Sequence, residues 1–167
     1  MGANGMTARL AEGDTIPDFE LATPSGGTVR TGDFRGKPLV LFFYPKDDTP
    51  GCTTQNKDFS TLSDAFTAAG IALLGVSKDT PARHAKVIAK HALTAPLASD
   101  PEADSGIAGL SDALGIWTEK SMYGRTYMGM ERTTYLVDAT GKIARVWNKV
   151  KVKGHAEEVL AAAKALG

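Results

Sequence analysis

Apolar positions along this chain fall into two alternating rhythms. Residues 38–44 (PLVLFFY) form an unbroken apolar run, the pattern of a central strand buried on both faces, and they stop at Pro45 and a polar turn. Over residues 50–69 the spacing changes: Phe59, Leu62 and Phe66 recur at helical intervals, and Gly70 supplies a stop. A second buried strand is predicted at 71–76 (IALLGV), followed by a helix at 81–92 with Thr80 as N-cap and Pro81 at its first position. Residues 96–98 predict a short strand, and 106–114 a short helix closed by Gly115. Strands at 133–137 (TTYLV) and 143–147 (IARVW) flank DATGK, whose Thr140-Gly141 pair marks a hairpin turn. Residues 155–166 close the chain as an Ala-rich amphipathic helix, and 18–29 (DFELATPSGGTV) predict a small hairpin turning at 24–27.

Alternating elements that finish with an antiparallel pair predict an α/β fold: a mixed central sheet flanked by helices on both faces, with an N-terminal β-hairpin. A chain of 167 residues with 43% hydrophobic content is long enough to bury a proper core and short enough for one domain over 1–167. There is no internal repeat or linker. Residues 1–8 are expected to be a flexible or appended tail, with Met6 as a second possible start.

Lys plus Arg total 19 and Asp plus Glu total 19, so no net charge draws the protein to nucleic acid or anionic lipid. No apolar run approaches the ~20 residues of a spanning helix, and residues 1–10 lack the basic-then-apolar order of a secretory signal. The expectation is a cytoplasmic protein without membrane or nucleic-acid partners, a monomer or weak homodimer. One cysteine, Cys52, excludes an internal disulfide and leaves too few thiols for a Cys-based zinc site. His84 and His91 lie seven apart without a third ligand, so no metal or cofactor is expected and both histidines are read as solvated. Asp47 and Asp48 read as turn residues, and Phe42, Phe43 and Tyr44 as core and pocket wall.

Chemistry concentrates where the first buried strand meets its helix. With Thr49 as N-cap and Pro50 at N1, Cys52 falls at N3, among unpaired N–H groups at the positive end of the helix dipole, a setting that favours thiolate. Gly51 lets a ligand approach the backbone closely. A structural cysteine needs neither feature, although burial is the commoner fate of a lone thiol.

The spacing PxxxTxxC, filled by Pro45, Thr49 and Cys52 inside FFYPKDDTPGCTTQ, resembles the active-site loop of the peroxiredoxins, and the longer phrase is most similar to their bacterioferritin comigratory protein, or Q-type, branch. GDTIPDFEL, FRGKP, LASDPE and YGRTYMGMERTTYLVD fall where that branch has similar phrases, so the resemblance covers nearly the whole chain. It implies a thioredoxin-like fold and a thiol peroxidase acting on hydrogen peroxide and organic hydroperoxides. Cys52 is then the peroxidatic nucleophile, oxidised to sulfenic acid. The resemblance also implies that Thr49 directs its hydroxyl toward peroxide and sulfur, that Arg132, matched to a second-strand arginine, holds the thiolate and polarises the peroxide, and that Pro45 shields the pocket. Gly51 and Gln55 join them as substrate-binding candidates, Gln55 standing where the branch carries Gln or Glu.

Each assignment has a competitor: Thr49 as a plain N-cap, and Arg132 as a surface residue paired with Glu131 or Glu119. The branch often carries a resolving cysteine five residues after the nucleophile or on the next helix; here the first position is Lys57 and residues 81–92 contain none. Recycling is therefore expected to be of the one-cysteine type, through an external thiol such as thioredoxin, glutaredoxin or glutathione. The alternatives are a redox sensor on the same fold and a thiol-disulfide oxidoreductase, whose usual CxxC would put cysteine where Gln55 stands.

Overall fold

The run at 38–44 folds as a strand whose alternate residues feed two separate cores. In the computed structural model, which describes residues 9–102 and 105–166, this strand is β3 (Leu39–Phe43). The tail expected over residues 1–8 lies outside the described residues. Val40 and Phe42 pack on one side with Phe59, Phe66 and Val159, while Leu39, Leu41 and Phe43 pack on the other with Leu110, Leu114 and Tyr135. All five β3 residues are buried.

The remaining strands and α-helices are β1 (Glu20–Ala22), β2 (Thr28–Arg30), α1 (Pro50–Thr61), α2 (Ser63–Ala68), β4 (Ala72–Ser77), α3 (Pro81–His91), β5 (Leu97–Ser99), α4 (Leu110–Leu114), β6 (Trp117–Met122), β7 (Arg125–Met130), β8 (Thr133–Val137), β9 (Ile143–Trp147) and α5 (His155–Leu166). Seven strands form one mixed sheet in the order β2-β1-β5-β4-β3-β8-β9. β3, β4 and β5 run parallel, and β8 runs antiparallel to β3 with Leu41 opposite Tyr135. Helices α1, α2, α3 and α5 supply the core on one face, and α4 supplies it on the other.

Two predicted elements differ. The single helix expected over 50–69 is broken at Leu62. There the Ser60 carbonyl accepts from Ser63 Oγ (2.8 Å) and Thr94 Oγ1 (2.9 Å), so hydroxyls take the carbonyl that would continue the helix. The helix expected to begin at 106 starts at Leu110, where buried Asp100 accepts from the backbone N–H groups of Leu110 (2.7 Å) and Ser111 (3.2 Å). A third element, the β6–β7 ribbon, was not predicted. It stands apart from the main sheet and turns at Tyr123 and Gly124, both at positive φ (52° and 76°), the pair of conformations a tight hairpin requires. Its strands are mostly exposed, so they carry no apolar alternation.

Candidate active site

The parallel strand β3 points its C-terminal end at the first turn of α1. Thr49 is extended (φ −103°, ψ 153°), Pro50 sits at N1 where its missing N–H costs nothing, and the Thr53 N–H to Thr49 carbonyl bond (2.8 Å) closes the first turn. Cys52 is therefore at N3, in the turn whose N–H groups lack intrahelical acceptors. Its side chain is turned inward, next to Phe42, Tyr44 and Phe59, and the residue is only 1% exposed.

Arg132 reaches this sulfur from the segment joining β7 to β8, at the threshold of β8 rather than within a strand. Its Nη2 lies 3.4 Å from Cys52 Sγ, and its Nη1 donates to Gln55 Oε1 at 2.6 Å. Gln55 is buried one turn along α1, so its acceptor orients the guanidinium fork; its Nε2 has no partner among the described residues. Glu131, the expected competitor, faces elsewhere. It accepts a bidentate pair from Arg9 (2.7 and 2.8 Å) and a bond from Thr133 Oγ1 (2.9 Å), which leaves the Arg132 charge for the sulfur. Gly51 is what lets the guanidinium cross the helix end: a Cβ there would lie 3.2 Å from Arg132 Nη2. The close approach made at this glycine within the fold is by Arg132.

Thr49 takes the N-cap position expected of it, but without a side-chain cap. Its hydroxyl caps no N–H of α1; Oγ1 donates to the Lys46 carbonyl at 2.8 Å. Pro45 is half-buried at the start of the same loop, directly after buried Tyr44.

Two further features were not legible in the sequence. Lys120, on the unpredicted ribbon, donates from Nζ to the Met130 carbonyl at 2.6 Å, and its stem crosses Gly129, where a Cβ would lie 3.0 Å from Lys120 Cδ. Burial pushes its ammonium below the usual lysine range, and the charge of Arg132 pushes it further down; Glu131 and Cys52 oppose this. The second feature corrects the reading of His84 as solvated; Asp47 stands in the turn expected of it, but its side chain is buried. His84 is fully buried and Asp47 nearly so; His84 Nδ1 lies 2.6 Å from Asp47 Oδ2, and Tyr44 Oη donates to Asp47 Oδ1 at 2.6 Å. Burial and then the Asp47 charge push the Tyr44 phenol well above its ordinary value, so it stays a neutral donor. His91, too, is held rather than free: its Nε2 lies 3.2 Å from Asp48 Oδ1.

One thiol, an arginine fork and a helix N-terminus thus meet at the end of a buried parallel strand. Residues 13–146 match the model of the AhpC/TSA family. The chain belongs to that family. Within it, the chain is 42% identical over 148 residues to peroxiredoxin Bcp of Bacillus subtilis (strain 168), covering 89% of this chain and 91% of that protein. It is 46% identical over 142 residues to peroxiredoxin Bcp of Xanthomonas campestris, covering 84% and 86%. The solved bacterioferritin comigratory protein of Xanthomonas campestris, described for alkyl peroxide reduction activity, superposes with a TM-score of 0.80 at 39% identity, covering 91% of this chain and 98% of that one. This peroxiredoxin therefore has the thioredoxin-like fold that the sequence phrases implied, and it is a thiol peroxidase. Among its described residues no helix is long and apolar enough to cross a membrane.

Proposed function

We propose that Cys52 is the nucleophile of this peroxidase and that alkyl hydroperoxides are among its substrates. The observation that carries the reading is the 3.4 Å approach of Arg132 Nη2 to Cys52 Sγ at the first turn of α1. The thiolate sulfur bonds to the terminal peroxide oxygen, the O–O bond breaks, and its electron pair leaves on the second oxygen, which takes a proton and departs as alcohol or water. Cys52 is left as sulfenic acid. Arg132 supplies charge-assisted donors to the sulfur and to the oxygen that becomes negative, and Gln55 holds the fork in that orientation. Thr49 has its proton engaged by the Lys46 carbonyl, so its oxygen is left to accept from the peroxide O–H. Pro45 and Gly51 complete the mouth of the site.

With one cysteine in the chain, the sulfenic acid is returned to thiol by an external thiol such as thioredoxin, glutaredoxin or glutathione. At 1% exposure Cys52 admits a small peroxide far more easily than a protein thiol, so reduction requires the first turn of α1 to open. A lone thiol that must be regenerated suits a reducing compartment such as the cytoplasm. Intact-mass spectrometry after one equivalent of cumene hydroperoxide tests the reading. One oxygen is gained on Cys52, removed again by the competent reductant; a Cys52→Ser protein that turns over peroxide would refute it.

A further inference from the structure

The loop between β3 and α1 carries Pro45 and Thr49 and leads directly into α1. It is also tied to α3 and to the segment before it. Asp47 N–H donates to Asp79 Oδ2 at 2.7 Å, and Ser77 Oγ donates to the same oxygen at 2.6 Å. The Asp48 carboxylate, on a residue held at positive φ (61°), accepts from Lys90 Nζ at 2.9 Å and faces His91 Nε2 at 3.2 Å, both on α3. Deepest of these ties is the Asp47–His84 contact, in which both side chains are essentially excluded from water.

Proton accounting defines that contact. His84 Nε2 faces the Ala98 carbonyl at 3.0 Å; a carbonyl only accepts, so Nε2 carries a hydrogen. Asp47 Oδ1 is taken by the Tyr44 hydroxyl, which leaves Oδ2 and Nδ1 2.6 Å apart with one proton between them. Every polar atom of the two side chains is then satisfied, by Tyr44 just after β3, by His84 on α3 and by Ala98 on β5. A buried charge-sharing pair is a costly way to obtain stability alone, because apolar residues of similar volume often serve as well. What it provides is a single fixed position for residue 47, two residues from both Pro45 and Thr49.

We infer that His84, acting through Asp47, is a positioning residue of the peroxidase site: it holds the loop so that Thr49 and the N-terminus of α1 meet the peroxide bound at Cys52. The inference rests on Cys52 being the sulfur that reacts. Misplacing a reacting group by an ångström is enough to cost ~10²-fold in rate. The effect is therefore on the oriented reaction with peroxide, and not on the general reactivity of the thiol.

The test compares two second-order rates on the same folded protein at a temperature well below its melting transition: oxidation by cumene hydroperoxide, and alkylation by iodoacetamide, which needs no bound geometry. His84→Ala and Asp47→Ala are expected to slow oxidation about 10- to 100-fold while alkylation is unchanged or faster, since the loop is freed. Asp47→Asn is expected to retain the parent rate of oxidation, because its amide oxygen accepts from Tyr44 while its amide nitrogen donates to neutral His84. If both alanine variants fail to fold, Tyr44→Phe removes one bond to Asp47 at nearly constant volume, and is expected to show the same divergence at about 3- to 10-fold. A purely structural pair would lower the melting temperature and leave the ratio of the two rates alone, and that result, in any folded variant, overturns the inference. A parent protein whose Cys52 reacts with peroxide no faster than a free thiol would instead defeat the reading of the site itself.

Discussion

Arg132 passes closely over Gly51 at the head of α1: a single added Cβ on Gly51 would stand 3.2 Å from Arg132 Nη2, the nitrogen that approaches the sulfur. The glycine serves the guanidinium more than the backbone, since it sits in the helix at N2, where alanine is the better helix former by about 1 kcal/mol. Gly51→Ala is therefore expected to leave the melting temperature unchanged or raised while moving Nη2 by a few tenths of an ångström. Oxidation of Cys52 is expected to slow by about 10-fold, on the scale of a weakened transition-state donor. Stopped-flow mixing with peroxide beside a thermal melt checks both halves; a slower reaction accompanied by a large loss of stability would point to a backbone role instead.

Lys120 is a second cation near this site, and its charge interaction with Cys52 is favourable. Such coupling is reciprocal, so the ammonium stabilises negative charge at the sulfur. Lys120→Met keeps the stem over Gly129 and removes the charge, and a loss of about 3- to 10-fold in the peroxide rate is expected. Lys120→Arg is expected to keep most of it. Equal rates for parent and Lys120→Met would remove Lys120 from the site's electrostatics.

A chain with one cysteine has no internal trap for its sulfenic acid. Titration with excess peroxide in the absence of reductant is expected to carry Cys52 to sulfinic acid, read by mass spectrometry as a second added oxygen. A sulfenic form that persists throughout the titration would contradict this.

His155 gives the fold an acid limit. Its Nε2 is paired with Thr134 Oγ1 at 2.8 Å, and its ring meets Phe59 and Trp147 edge-on. Burial pushes its imidazole down from 6.5 to about 4; the carboxylate of Glu158 opposes this and the charge of Arg132 adds to it. Between those two pH values the unfolded chain binds the proton and the folded chain does not, so stability falls as pH falls through this window. The accumulated loss is roughly 2–3 kcal/mol for one such group. Urea melts at pH 7 and pH 4.5 measure it, and His155→Gln is expected to flatten the slope; an unchanged slope would assign the acid sensitivity to other groups.

How far the sequence could be read follows from where each signal lies. The strands β3, β4 and β8 are buried on both faces and the helices α3 and α5 are capped or amphipathic, so their residues announce themselves. The ribbon β6–β7 is exposed, and its Tyr-Gly turn is a weaker signal than Asn-Gly, so neither periodicity nor punctuation marked it. Lys120 was lost with it. The break at Leu62 depends on Thr94, distant in sequence, reaching the Ser60 carbonyl. His84 reads as solvated and Asp47 as a turn residue because each is polar in a locally polar stretch; only the tertiary meeting of α3 with the β3–α1 loop makes them a buried pair. Cys52, Thr49 and Pro45 stand out because the motif is local, and Arg132 because a matched phrase marks it.

The most direct test of the account is the second-order rate of Cys52 oxidation by peroxide in the parent protein and in Arg132→Ala, measured by rapid mixing. The parent is expected to exceed a free thiol by several orders of magnitude, more than the roughly 30-fold gained by full ionisation at neutral pH. Arg132→Ala is expected to lose about 10²- to 10³-fold while remaining folded. A parent no faster than a free thiol, or a folded Arg132→Ala as fast as the parent, would contradict it.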